Sequence, residues 1–82
     1  MREAGLETPL LQYRLVKAWG EVVGEPYNLH SFAEEIRKDV LIVKVDSPSL
    51  MAEMQMRRSD FVGRLNKHVG AFLINDIRFV CE

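Results

Sequence analysis

The stretch Asp39–Met54, DVLIVKVDSPSLMAEM, most constrains what this chain can fold into. Val40 to Val45 is a short β-branched run with one lysine, the composition of a strand buried over most of both faces. It passes directly into Asp46-Ser47-Pro48-Ser49, a joint between strand and helix. Proline disfavours helical geometry at the residue before it and presets φ at a first helical position. Ser47 is therefore the expected N-cap of a helix reaching about Met56, with Glu53 placed early enough to favour the helix dipole.

Upstream, a helix is expected to start near Thr8 as N-cap, with Pro9 at its first position. Leu11, Leu15, Ala18, Trp19 and Val22 recur at helical spacing with Val23 beside them, and Gln12, Arg14, Lys17 and Glu21 take the outer face. Trp19 is the natural core anchor, and Gly20 implies a close neighbour. Gly24 suits a C-cap, and Pro26 blocks continuation. A first strand is expected over Asn28–Arg37, with His30, Phe32 and Ile36 on one face and Leu29 and Ala33 on the other. Arg37-Lys38-Asp39 turns it into an antiparallel hairpin with the central strand.

The central strand places Leu41, Val43 and Val45 on one face, assigned to the helices, and Val40, Ile42 and Lys44 on the other. Downstream, Leu50, Met51 and Met54 point inward from the second helix. Arg57-Arg58-Ser59-Asp60 interrupts the stripe, and Ser59 is a candidate cap for a third helix with Asp60 in its first turn. Phe61, Val62, Leu65 and Val69 form that helix's apolar face, and Gly70 ends it. Ile74–Cys81 is the expected last strand, with Ile77, Phe79 and Cys81 alternating against Arg78 and Val80.

The order is α-β-β-α-α-β. A crossover through helices favours parallel pairing of the second and third strands. The predicted class is α+β, a three-stranded mixed sheet with its helices on one face, the layout of a type II KH-like fold. Residues 8–82 form one domain, and residues 1–7 an N-terminal arm that frays.

Eighty-two residues leave no sequence for a second covering layer, so Val40 and Ile42, joined by Phe32, are expected on an open face as a self or partner interface. A net charge of −1 excludes a globally basic nucleic-acid binder and confines any such contact to a local patch. One cysteine, Cys81, allows neither an internal disulfide nor a cysteine-based metal cluster. No apolar run approaches membrane-spanning length and the N-terminus has no apolar leader, which points to a cytoplasmic protein without membrane contact.

No catalytic residues, metal ligands or cofactor motif emerge. His30 and His68 share no motif and are read as surface or locally bonded side chains. Asp46, Glu53 and Asp60 have ordinary structural roles. KH-type recognition needs a GxxG loop where bare backbone meets phosphate, and Met56-Arg57-Arg58-Ser59-Asp60 has no glycine. What remains there is charge. Arg57, Arg58, Arg64 and Lys67 gather at the interhelix corner, able to grip a phosphate backbone without reading bases; the plain alternative is a solvated helix face. Met51 and Met54 are assigned to the core, and Met56 is open between core and partner contact.

Trp19 with Val22-Val23-Gly24, the Val40–Val45 strand, Asp46-Ser47, Leu50 with Glu53-Met54, Leu65-Asn66 and Asp76-Ile77-Arg78-Phe79 occur in an order and spacing that resembles the DciA-like family, formerly a domain of unknown function. The resemblance spans residues 16–80. Leu50 stands where many relatives carry tryptophan, Met54 where leucine is usual, and Phe32 and Ile42 where relatives are often more polar. The resemblance implies a KH-like, non-enzymatic adaptor that helps load the bacterial replicative DNA helicase, with weak, sequence-independent contact to single-stranded DNA. Relatives often carry an extra basic or disordered segment that these 82 residues lack, which lowers the expected DNA affinity. Two other readings stay open: a nucleic-acid-binding KH-like module, and a structural module that forms a homodimer through its open sheet face.

Overall fold

The computed structural model describes residues 4–81, with side chains from Pro9 onward. Its elements are α1 (Ala4–Val23), a single 3-10 turn (Tyr27–Leu29), β1 (Ser31–Arg37), β2 (Val40–Val45), α2 (Pro48–Met56), α3 (Arg58–Val69) and β3 (Asp76–Cys81). The strands form one sheet in the order β1-β2-β3, β1 antiparallel and β3 parallel to the central β2. This is the α+β arrangement, α-β-β-α-α-β with a mixed sheet, that the sequence predicts.

Leu41, Val43 and Val45 of β2 are essentially solvent-free, as are Leu15, Met54, Leu65, Ile74 and Ile77 around them. Trp19 seats α1. Its indole meets Phe61 of α3 edge-on at 5.6 Å between ring centres and Phe79 of β3 at 6.3 Å. Its Nε1 donates to Ser31 Oγ at 3.0 Å, and that hydroxyl donates in turn to the Tyr27 carbonyl at 2.6 Å. One side chain thereby ties α1 to α3, β3, the start of β1 and the 3-10 turn.

The ends of the elements follow local chemistry. Ser47 is extended (φ −134°, ψ 111°) with its Oγ accepting from the Leu50 N–H at 3.3 Å and Pro48 in the first turn, so the strand-to-helix joint forms as expected. Gly24 and Gly70 end α1 and α3 at φ 72° and 76°, where a side chain would be strained.

Several boundaries differ from expectation. Helix α1 already runs from Ala4, so Thr8 lies within it rather than at its cap; the rest of the expected arm, residues 1–3, lies outside the described residues. Strand β1 starts at Ser31, not Asn28, because the Asn28, Leu29 and His30 N–H groups are taken by the Gly24, Pro26 and Tyr27 carbonyls. Ser59 is not the cap of α3. The helix starts at Arg58, and Arg57 alone separates it from α2. Glu53 lies beyond the first turn of α2 and accepts a hydrogen bond from the Tyr27 hydroxyl at 3.0 Å. Strand β3 begins at Asp76 rather than Ile74, since Asn66 holds the segment before it. Asn66 Oδ1 accepts from the Leu73 and Ile74 N–H groups at 2.9 and 3.2 Å, and Nδ2 donates to the Ile74 carbonyl at 2.8 Å.

The faces of β1 are also redistributed. A bulge between Ala33 and Glu35 shifts the register, so Ala33 pairs with Val43 and Ile36 with Leu41, both toward the core. Phe32 therefore does not share a face with Ile36. It pairs with Lys44, on the side turned away from the helices.

Two stability measurements check this account. Asn66→Ala strands two N–H groups and a carbonyl, and is expected to cost about 2–3 kcal/mol in urea unfolding with an unchanged m-value; a loss below 0.5 kcal/mol on the same scale would dismiss the role given to it. Gly63 is exposed inside α3, and a Cβ there meets nothing within 4 Å. Gly63→Ala is expected to add about 0.5–1 kcal/mol and raise the melting temperature; an unchanged melting temperature would contradict that reading.

Candidate functional site

Two surfaces hold the residues singled out from the sequence. The first is the corner between α2 and α3. Arg57 there has φ −104° and ψ 13°, and its N–H donates to the Met54 carbonyl, so one residue both ends α2 and begins α3. Its guanidinium lies over the Tyr27 ring, 5.9 Å from the ring centre. That ring is buried and meets Phe61 edge-on at 5.7 Å. Desolvation raises the pKa of the Tyr27 phenol above its usual value, the hydrogen bond to Glu53 adds to the rise, and the charge of Arg57 opposes it. Arg57 is thus positioned by the core through Tyr27.

Of the other basic residues, Arg58 and Arg64 are engaged as well. Arg58 Nε lies 3.1 Å from Asp76 Oδ1 at the start of β3, and Arg64 Nε lies 3.0 Å from Asp60 Oδ2 one turn earlier. Lys67 is exposed in the last turn of α3, and no ion pair involves it among the described residues. The four are spread along α3 rather than gathered at the corner: Arg57 and Arg58 stand at the joint, Arg64 lies midway, and Lys67 is in the last turn at the far end, with Arg58 and Arg64 compensated by carboxylates. Exposed pairs of this kind exchange readily with other anions, because each contributes about 0–1 kcal/mol.

The second surface is the sheet face opposite the helices. Val40, Ile42 and Lys44 of β2 lie on it, and the register adds Phe32, Glu35 and Arg37 from β1 and Asp76, Arg78 and Val80 from β3. Phe32, Val40 and Ile42, expected together, are together. Phe32 is the most open of the three, with 53 % of its surface exposed. Glu35 accepts from Arg37 Nε at 2.8 Å, and Lys44 Nζ lies 3.9 Å from Glu34.

The histidines are placed apart. His30 Nδ1 lies 3.0 Å from Asp46 Oδ1, and the Asp46 N–H donates to the His30 carbonyl at 2.9 Å, a local clasp between the start of β1 and the end of β2. His68 is exposed beside Tyr13, Arg14 and Lys17 in a shallow groove between α1 and α3. Among the described residues, no group of three His, Cys, Asp or Glu side chains is arranged to hold a metal ion. None of the helices is long and apolar enough to cross a membrane, among the described residues. Met56 is 87 % exposed, which answers the question left by its sequence: it lies on the surface. Sequence reasoning also passed over Phe72, 79 % exposed in the loop before β3, where it borders an open cleft of about 400 Å³ with Gln12, Lys38 and Asn75. Its lack of any helical or strand periodicity hid it.

A search of curated proteins returns no match. The model of the family described as Dna[CI] antecedent, DciA, matches residues 1–79. The match covers nearly the whole chain, including both helices of the basic corner, β1, β2 and the first four residues of β3. The chain belongs to the DciA family, and with it to the adaptors of replicative-helicase loading in DNA replication.

Proposed function

We propose that this chain acts without catalysis of its own, binding the replicative DNA helicase during loading and touching single-stranded DNA weakly through Arg57, Arg58, Arg64 and Lys67. The family match over residues 1–79 carries the reading. The geometry of the corner supports the DNA contact. Arg57 stands at a one-residue joint, its guanidinium oriented by Tyr27. No side chain caps the start of α3, so the first-turn N–H groups add a positive helix end beside the arginines.

The same geometry supports weakness and lack of base selectivity. A phosphate backbone must displace Asp76 from Arg58 and Asp60 from Arg64 before either is fully available. The corner has no glycine to let backbone approach a nucleotide closely. Phosphate contacts fix position on a strand and carry no sequence information. Transient contact fits an adaptor that must release the DNA to the helicase.

Two measurements separate the parts of this reading. Purified chain and cognate helicase are expected to co-elute at micromolar concentration; failure to form a complex there would overturn the adaptor role. The double variant Arg57→Ala/Arg58→Ala is expected to bind a single-stranded oligonucleotide about tenfold more weakly at low salt, with a log–log salt slope shallower by about 1–1.5. Unchanged affinity and slope, in protein whose circular dichroism spectrum is intact, would remove the corner from the DNA contact.

A further inference from the structure

The bare face of the sheet is ordered in rows by its register. Phe32, Lys44 and Val80 form one row, Glu35, Ile42 and Arg78 the central one, and Arg37, Val40 and Asp76 the last. In each row the residue on β1 is complementary to the residue on β3: aromatic against aliphatic, carboxylate against guanidinium, guanidinium against carboxylate. The residue between them on β2 is apolar in two rows of the three.

A two-fold axis lying between two stacked sheets and parallel to β2 sets β1 of one copy over β3 of the other. It brings Glu35 over Arg78 of the second copy and Phe32 over Val80, each twice, with Ile42 and Val40 meeting their own symmetry mates. An axis perpendicular to the strands would instead set Glu35 on Glu35 and Arg78 on Arg78. Charge therefore selects one stacking over the other. We propose that a second copy of this chain covers the open sheet face, in a symmetric dimer centred on Ile42.

Details of the face fit this occupant. Glu35, already bonded to Arg37, gains Arg78 of the second copy as a further donor. Asp76 is held by Arg58, so the outer row contributes less than the central one. Lys44 is the only like-charge meeting on the axis, and Glu34, 3.9 Å away, compensates it in each copy. Three strands about 4.8 Å apart, seven, six and six residues long, present roughly 14 by 20 Å of face. That is about 280 Å² on each copy, well below the roughly 800 Å² per partner of a standard interface, so the dimer is a weak, concentration-dependent one. The inference goes beyond the helicase reading and does not rest on it.

Sedimentation equilibrium across about 10–500 µM is expected to show the mass rising from one chain to two. Glu35→Arg alone and Arg78→Glu alone each set like charges across both symmetry-related contacts and are expected to weaken association at least about tenfold. The double variant Glu35→Arg/Arg78→Glu reverses the pair without losing it and restores the dimer. Ile42→Glu places two carboxylates on the axis and leaves single chains. Single-chain mass at every concentration of the wild-type protein, dimerisation indifferent to the single reversals, or a double variant that folds by circular dichroism but stays single would each overturn the proposal.

Discussion

Burial of β2 on one side only is the constraint from which the rest of this structure follows. Leu41, Val43 and Val45 are closed off by the helices, while Val40, Ile42 and Lys44 on the same six residues are partly open. All three helices are spent on one side, and each is anchored there by a large side chain: Trp19 from α1, Met54 from α2, Phe61 from α3. Each such side chain, fully buried, contributes about 1.5–3 kcal/mol. The aromatic contacts among Trp19, Tyr27, Phe61 and Phe79 add directional packing to that term. What the helices leave uncovered is the face that carries Val40, Ile42 and Lys44.

The features legible in the sequence are those whose cause is local. A serine before proline favours a helix cap, and a glycine after an apolar stripe can take positive φ; Ser47, Gly24 and Gly70 act accordingly, while the similar signal at Thr8-Pro9 falls inside α1. The inward faces of α1, α2 and α3 follow from spacing alone. The misreadings arise where a distant partner decides. Asn66 looks like any polar residue on a helix until Leu73 and Ile74 come round to meet it, and that meeting delays β3 to Asp76. Arg58 opens α3 in place of Ser59, on a chain already turned at Arg57. The bulge in β1 did leave a trace. Ala33 and Ile36 are three residues apart, which a regular strand cannot place on one face, yet both are needed by the core.

The basic corner shows the same division. Four cations within eleven residues can be counted in a sequence, but their partners cannot. The Arg64–Asp60 pair is readable as a helical i,i+4 neighbour. The Arg58–Asp76 pair spans eighteen positions and exists only because α3 packs beside the start of β3. Tyr27 is the least expected contributor. It opens a 3-10 turn just before the stretch where a strand was expected, reaches Glu53 with its hydroxyl, and supports Arg57 with its ring. The corner is consequently better ordered and less strongly charged than its composition suggests.

These two surfaces belong to different layers and meet at Asp76, and that has a consequence for how a weak contact can serve. The corner belongs to the helical layer, and the open face belongs to the sheet. Stacking two sheets face to face leaves both helical layers outward, so both corners remain free when the faces are covered. A strand gripped by one corner then meets the second at a concentration set by the span between them rather than by the bulk. On the DNA contact proposed above, arginines such as Arg58 and Arg64, each paired with a carboxylate and too weak to hold DNA for long, would in this way hold it long enough for transfer and still let go.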